Sequence, residues 1–138
     1  MEVTDSNTTI EVRLADGATS GFASIVQQFL EQQLAESQTR RRRATRLRGR
    51  LGLTATDYHA SVTVDFGSAR IVVCDGDAGP LDASIAGPYK SLTELLQGRS
   101  NPLVEHLRGR LRVRSRLRNL FLPFRVHRLL KLSPERQG

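Results

Sequence analysis

Leu81-Asp82-Ala83-Ser84-Ile85-Ala86-Gly87-Pro88 opens the stretch that decides the fold, and Tyr89-Lys90-Ser91-Leu92-Thr93-Glu94-Leu95-Leu96-Gln97 continues it. The first segment alternates apolar and polar side chains, as a half-buried strand does. Gly87-Pro88 ends it and leads into a short helix over 89–97. Gly98-Arg99-Ser100-Asn101-Pro102-Leu103 interrupts that helix and starts a second, which ends near Gly109. The period-two run Arg110-Leu111-Arg112-Val113-Arg114 predicts another strand, and a basic Leu- and Phe-rich segment runs from Leu117 to Leu132. Strand, two short helices, strand and apolar terminal helix is an order that few folds need.

Upstream, Thr9-Ile10-Glu11-Val12-Arg13-Leu14 alternates and stops at Asp16-Gly17, which predicts a short strand and a turn. Phe22, Ile25, Val26, Phe29 and Leu30 fit the i, i+3, i+4, i+7, i+8 spacing of an amphipathic helix from about 20 to at least 37. Thr19 or Ser20 is its expected cap. No apolar face supports its extension through Arg40–Arg43. From Gly49 the period changes to two. Leu51, Leu53 and Ala55 share a face, and Ala60, Val62, Val64 and Phe66 oppose His59, Ser61, Thr63 and Asp65. Gly67 at the first loop position of Phe66-Gly67-Ser68-Ala69 predicts a type II′ hairpin, and Ala69, Ile71 and Val73 carry the pattern onward. Strands apolar on one face and polar on the other make a mostly antiparallel sheet of five or six strands with one side wet. The helices cover the other side, giving a two-layer α+β domain. The whole chain, 1–138, reads as one such domain, with its core over about 20–132 and an N-terminal strand or arm over 1–19.

The 138 residues are 38% hydrophobic and 25% charged, enough for one modest core and not a disordered composition. The lone cysteine, Cys74, forms no internal disulfide. The acidic start Met1-Glu2-Val3-Thr4-Asp5 is unlike a signal peptide. No apolar run approaches the roughly 20 residues that span a bilayer. A soluble, cytoplasmic protein is the expectation. The net charge of +7 is patterned: residues 40–50 hold seven arginines and no acid, and residues 99–138 hold eleven basic groups against two acids. The remainder is acidic. Two basic blocks attract anions over about a Debye length.

Every even position from 108 to 118 is Arg, while Leu111, Val113 and Leu117 take odd positions. On a strand this separates guanidinium groups from apolar side chains. A solvated sheet face and a phosphate-attracting surface both fit, and the Arg40–Arg50 block is open in the same way, with a flexible basic linker as its plain reading. Nucleic-acid binding has only the charge in its favour. Neither Arg40–Arg50 nor Arg108–Arg118 holds Phe, Tyr or Trp, and no zinc-finger, helix-turn-helix or ribonucleoprotein signature is present. His59, His106 and His127 are scattered and read as surface imidazoles; no spacing suits a metal, a nucleophile elbow or a phosphate loop. No cofactor, metal or enzyme activity is expected.

In the last segment Leu117, Leu120, Phe121 and Phe124 sit at i, i+3, i+4 and i+7, while Leu122, Val126, Leu129 and Leu130 form a second apolar set. Pro123 kinks or restarts the helix. Arg125, Arg128 and Lys131 share another face. Core cover is the common fate of such a stripe. The apolar surplus, however, fits a cavity wall, a bilayer or another subunit.

The order and spacing of these parts resemble the sterol carrier protein-2 family, bacterial type. The match runs from about Phe22 to Leu132. It rests on Leu47-Arg48-Gly49-Arg50-Leu51, on Val62-Thr63-Val64-Asp65-Phe66 with Ala69-Arg70-Ile71-Val72-Val73, and on Ser91–Leu96 before Gly98-Arg99. Asn101-Pro102-Leu103, Gly109-Arg110-Leu111-Arg112-Val113 and Leu129-Leu130-Lys131-Leu132 complete it. The strand at 9–14 is peripheral to that family's core. The resemblance implies a sheet covered by helices, with an apolar tunnel closed by the C-terminal helix, and non-catalytic binding of a lipid or sterol-like ligand. The expected floor is Val62, Val64, Ile71, Val73, Leu111 and Val113, and the expected wall is Leu117, Leu120, Phe121 and Phe124. Phe22, Val26 and Phe29 fit either cavity wall or plain core. Arg125, Arg128 and Lys131 are the expected contacts to an anionic membrane, with Pro123 as the hinge. An interior filled by its own side chains points instead to a protein-interaction subunit using the C-terminal helix.

Overall fold

The computed structural model describes residues 10–15, 17–18, 20–67, 70–76, 79–100, 102–115 and 122–130. Six strands form one sheet: β1 (Glu11–Leu14), β2 (Gly49–Ala55), β3 (Ala60–Phe66), β4 (Arg70–Asp75), β5 (Ala83–Gly87) and β6 (Arg112–Ser115). Their order is β1-β4-β3-β2-β5-β6. Three neighbouring pairs are antiparallel, while β1 with β4 and β2 with β5 are parallel. The helices are α1 (Gly21–Ala35), α2 (Gln38–Ala44), α3 (Tyr89–Leu96), α4 (Pro102–Leu107) and α5 (Leu122–Leu130). The expected two-layer α+β architecture is the one observed.

Alternation decides which face of the sheet is covered. Leu51, Leu53, Ala55, Val62, Val64, Phe66, Ile71, Val73 and Ile85 are all buried. Arg50, Thr54, Ser61, Asp65 and Cys74 alternate with them and are only half-buried, so the other face stays wet. There the Thr54 and Ser61 hydroxyls lie 3.0 Å apart across the β2–β3 pair. Cys74 sits on this outer face; burial, then the Asp65 carboxylate, push its thiol pKa up. A thiol held protonated is a poor nucleophile.

The helix expected from about 20 through 37 and beyond is two helices. Ser20 caps α1, its Oγ accepting from the Ala23 N–H at 3.0 Å. The chain then extends at Ser37, which caps α2 through the Arg40 N–H at 3.2 Å. The arginine run therefore forms a short helix of its own. The break serves α1: Arg41 donates to the Leu34 carbonyl at 2.6 Å, and Arg40, buried, donates to the Gln33 side chain at 2.6 Å. Cations are favoured at a helix C-terminus, where carbonyls are left without intrahelical partners.

The glycines of the 98–109 stretch stop α3 and α4 by one device. Gly98 and Gly109 both take φ of +77°, the left-handed backbone that glycine adopts without strain. In each case the residue after the glycine reaches back to a helical carbonyl, Arg99 N–H to Glu94 and Arg110 N–H to Glu105, both at 2.9 Å. These are Schellman ends. The start of α3 is held from the β2–β3 turn, where Asp57 accepts from the Tyr89 N–H at 2.9 Å. The hairpin between β3 and β4 differs from expectation. Gly67 does not take a left-handed backbone, and its N–H donates to the Arg70 carbonyl at 2.8 Å. The closing pair is therefore Gly67 with Arg70, one residue further along than expected.

α1 packs across β1, β3 and β4, whereas α3 and α5 cover β2 and β5. That division positions the site described next. No helix among the described residues is long and apolar enough to cross a membrane.

Candidate functional site

Between the sheet and the helices lies an apolar cavity. Its floor is Leu51 and Leu53 of β2, Val64 and Phe66 of β3, and Ile85 of β5. Leu30 of α1 and Leu95 and Leu96 of α3 form two sides, and Pro123, Val126 and His127 of α5 form the roof. Its free volume is about 10 Å³, about that of a single water-sized probe. Pockets that hold small molecules run roughly 300–1,000 Å³. The apolar tunnel that the resemblance implies is thus filled by side chains in this structure, with α5 fitted onto the sheet.

Among the described side chains of α5, Leu122, Pro123 and Val126 are the buried ones. Leu122 is 0% exposed and Val126 6%, and burying each contributes about 1.5–3 kcal/mol. Pro123 stands at the second position of α5, where a missing N–H costs nothing because it has no intrahelical acceptor. It starts the helix and lines the cavity; α5 runs on from it to Leu130.

Of the expected floor, Val64 lines the cavity. Val62, Ile71 and Val73 are buried in the core and are not among its lining residues. The reason is strand order: β2 sits between β3 and β5 under α3 and α5, whereas β4 lies further out under α1. Leu111 is buried but lines a different surface, beside Gly87 and His106, and Val113 packs partly buried at the core's margin. Phe22 and Val26 are buried in the core, and Phe29 packs against it. On the expected wall, Leu117, Leu120 and Phe121 lie outside the described residues, as does Lys131, and Phe124 is described only as a backbone position of α5. Arg125 and Arg128 are exposed on α5, on the side away from Pro123, Val126 and His127.

Sequence reading missed Leu51, Leu53 and Ile85 as floor and His127 as lining. The spacing 123, 126, 127 was the available signal, since i, i+3 and i+4 share a helix face. His127 is therefore not a surface imidazole; it puts a polar ring on an otherwise apolar wall. His106 does lie at the surface, its Nδ1 accepting from the Val113 N–H at 3.2 Å. Among the described residues no three His, Cys, Asp or Glu side chains gather as a metal site would need.

A second apolar surface opens at the far end of the sheet. Phe22, Ile25, Tyr58 and Tyr89 line an open groove of about 360 Å³. Tyr89 stands between Phe22 and Tyr58 at ring-centroid distances of 6.1 and 5.2 Å.

The sequence profile of the SCP-2 sterol transfer family matches residues 26–114. Solved structures share the fold. The chain is similar to a UbiJ-SCP2 ubiquinone synthesis protein (TM-score 0.62, 18% identity, covering 80% of this chain and 96% of that one). It is also similar to sterol carrier protein domain 2 of Helicoverpa armigera (0.60, 11% identity, 83% and 91%). A sterol carrier protein 2 crystal structure aligns with TM-score 0.54 and 22% identity, over 81% and 92%. No curated protein matches the chain.

Proposed function

The chain belongs to the SCP-2 sterol transfer family, and from that membership we propose that it binds an acyl or sterol-like lipid, without catalysis, in the space beneath α5. One observation carries this reading: ten of the eleven described lining residues are apolar, they gather between the sheet and one short helix, and His127 is the single polar residue among those described. Ligand pockets are built this way, with a mostly apolar wall and a few orienting polar groups. Binding draws on desolvation, at about 25 cal/mol per Å² of apolar surface buried.

With about 10 Å³ free, a lipid enters only as α5 lifts. The closed form is then the unliganded state, and apparent affinity is reduced by the fraction of molecules that are open. Native mass spectrometry of freshly purified protein is expected to show a second mass, which solvent extraction identifies as a lipid. The filled interior also favours a rival, the same fold serving as an interaction subunit. A lipid-free dimer in that spectrum, with no fatty acid binding, is the rival's signature and would overturn the lipid reading.

A further inference from the structure

The two basic blocks are far apart in sequence, and the fold consumes most of the first. Arg40 and Arg41 cap α1, as described above. Arg48 donates to the Thr45 and Leu47 carbonyls at 2.6 and 2.7 Å, and Arg50 faces Asp65 at 3.4 Å. Arg42, Arg43 and Arg46 are left exposed. Across from Arg43 and Arg46 stand Arg125 and Arg128 of α5, and these four surround a cleft of about 400 Å³ against Leu47. Arg43 Nη1 reaches the Arg128 carbonyl across the cleft at 3.4 Å. Among the described residues no carboxylate lines the cleft, and none of the four arginines is in an ion pair.

Four guanidinium groups around one concavity repel one another, and a bound anion relieves the repulsion. Their planar N–H forks match the oxygens of a phosphate. The cleft is a half-open concavity, and among its described lining residues there is no aromatic platform for bases. We propose that Arg43, Arg46, Arg125 and Arg128 form one phosphate site, and that the phosphate is a phosphomonoester headgroup on a lipid surface. The anion site stands on its own geometry; assigning it to a lipid rests on the lipid-binding reading above. The consequence is mechanical. The headgroup would engage the outer face of the same helix whose inner face roofs the cavity.

The test uses the full chain, inorganic pyrophosphate, phosphatidylcholine vesicles doped with phosphatidic acid or with phosphatidylserine at equal charge, and a DNA duplex. Phosphatidic acid vesicles are expected to bind best and to be displaced by pyrophosphate. R43Q/R125Q should weaken that binding about tenfold, while R112Q/R114Q, an equal charge loss on exposed β6, should stay within about twofold because those charges are screened from the cleft. Equal weakening by both doubles, or no preference for phosphatidic acid, overturns the site. Pyrophosphate binding without vesicle binding overturns the lipid source and leaves the anion site. Duplex binding that is tighter than vesicle binding and lost in R43Q/R125Q overturns the headgroup in favour of nucleic acid. Melting curves check that the variants fold; if R43Q/R125Q does not, displacement of the wild type by pyrophosphate decides. Failure here, with acyl-chain binding intact, leaves the cavity reading standing.

Discussion

Leu53→Ala is expected to cost about 3 kcal/mol of stability and, at the same time, to tighten the binding of a long-chain fatty acid roughly three- to tenfold. Leu53 is 2% exposed on β2, paired with Val62 on one side and Ile85 on the other, and it lies on the cavity floor. Truncation removes buried methyl groups and leaves a void, so the folded state loses both transfer energy and packing. The void lies where the account seats a hydrocarbon chain. A ligand would then need to displace less of the interior, and the open, competent fraction would rise. Urea unfolding gives the first number, and displacement of a fluorescent fatty acid gives the second. Destabilisation with unchanged or weaker binding would mean that the chain sits elsewhere.

Leu122→Asp is expected to abolish fatty acid binding, by a factor of roughly 100, while leaving the sheet folded. Leu122 is 0% exposed, and an ionised carboxylate buried there without a partner costs several kcal/mol. That outweighs the gain from burying Pro123 and Val126, the other described side chains that hold α5 down, so the helix leaves the sheet. Leu30, Leu95 and Leu96 would then meet water. The readouts are a rise in dye binding to exposed apolar surface, retained strand signal in circular dichroism, and loss of ligand. Leu122→Met, which keeps the volume and polarity nearly unchanged, should behave as the wild type. Retained affinity in the Asp variant would remove α5 from the ligand's wall.

The layers of this fold were legible because alternation and helical spacing each report one local fact, which side chains share a face. Leu51, Leu53 and Ala55, then Val62, Val64 and Phe66, were assigned to the covered side of the sheet and lie there. Alternation says nothing about which strand neighbours which. The parallel pairing of β2 with β5 brings Ile85 beside Leu53, and that single long-range fact moves the cavity floor away from Ile71 and Val73. The Arg40–Arg50 block was ambiguous for a related reason. A guanidinium that caps a helix and one that faces solvent look alike in sequence, and only the break at Ser37 lets Arg40 and Arg41 reach back to the end of α1 while Arg43 and Arg46 do not. Their meeting with Arg125 and Arg128 depends on α5 docking beside α2, a contact between segments with no local signature.

The most direct measurement is the set of nuclear Overhauser contacts between a carbon-13-labelled palmitate chain and the protein's methyl groups. Contacts are expected to Leu51, Leu53, Val64, Ile85 and Val126. Contacts confined to Ile25 and its neighbours in the open aromatic groove, or none at saturating palmitate, would contradict a ligand site beneath α5.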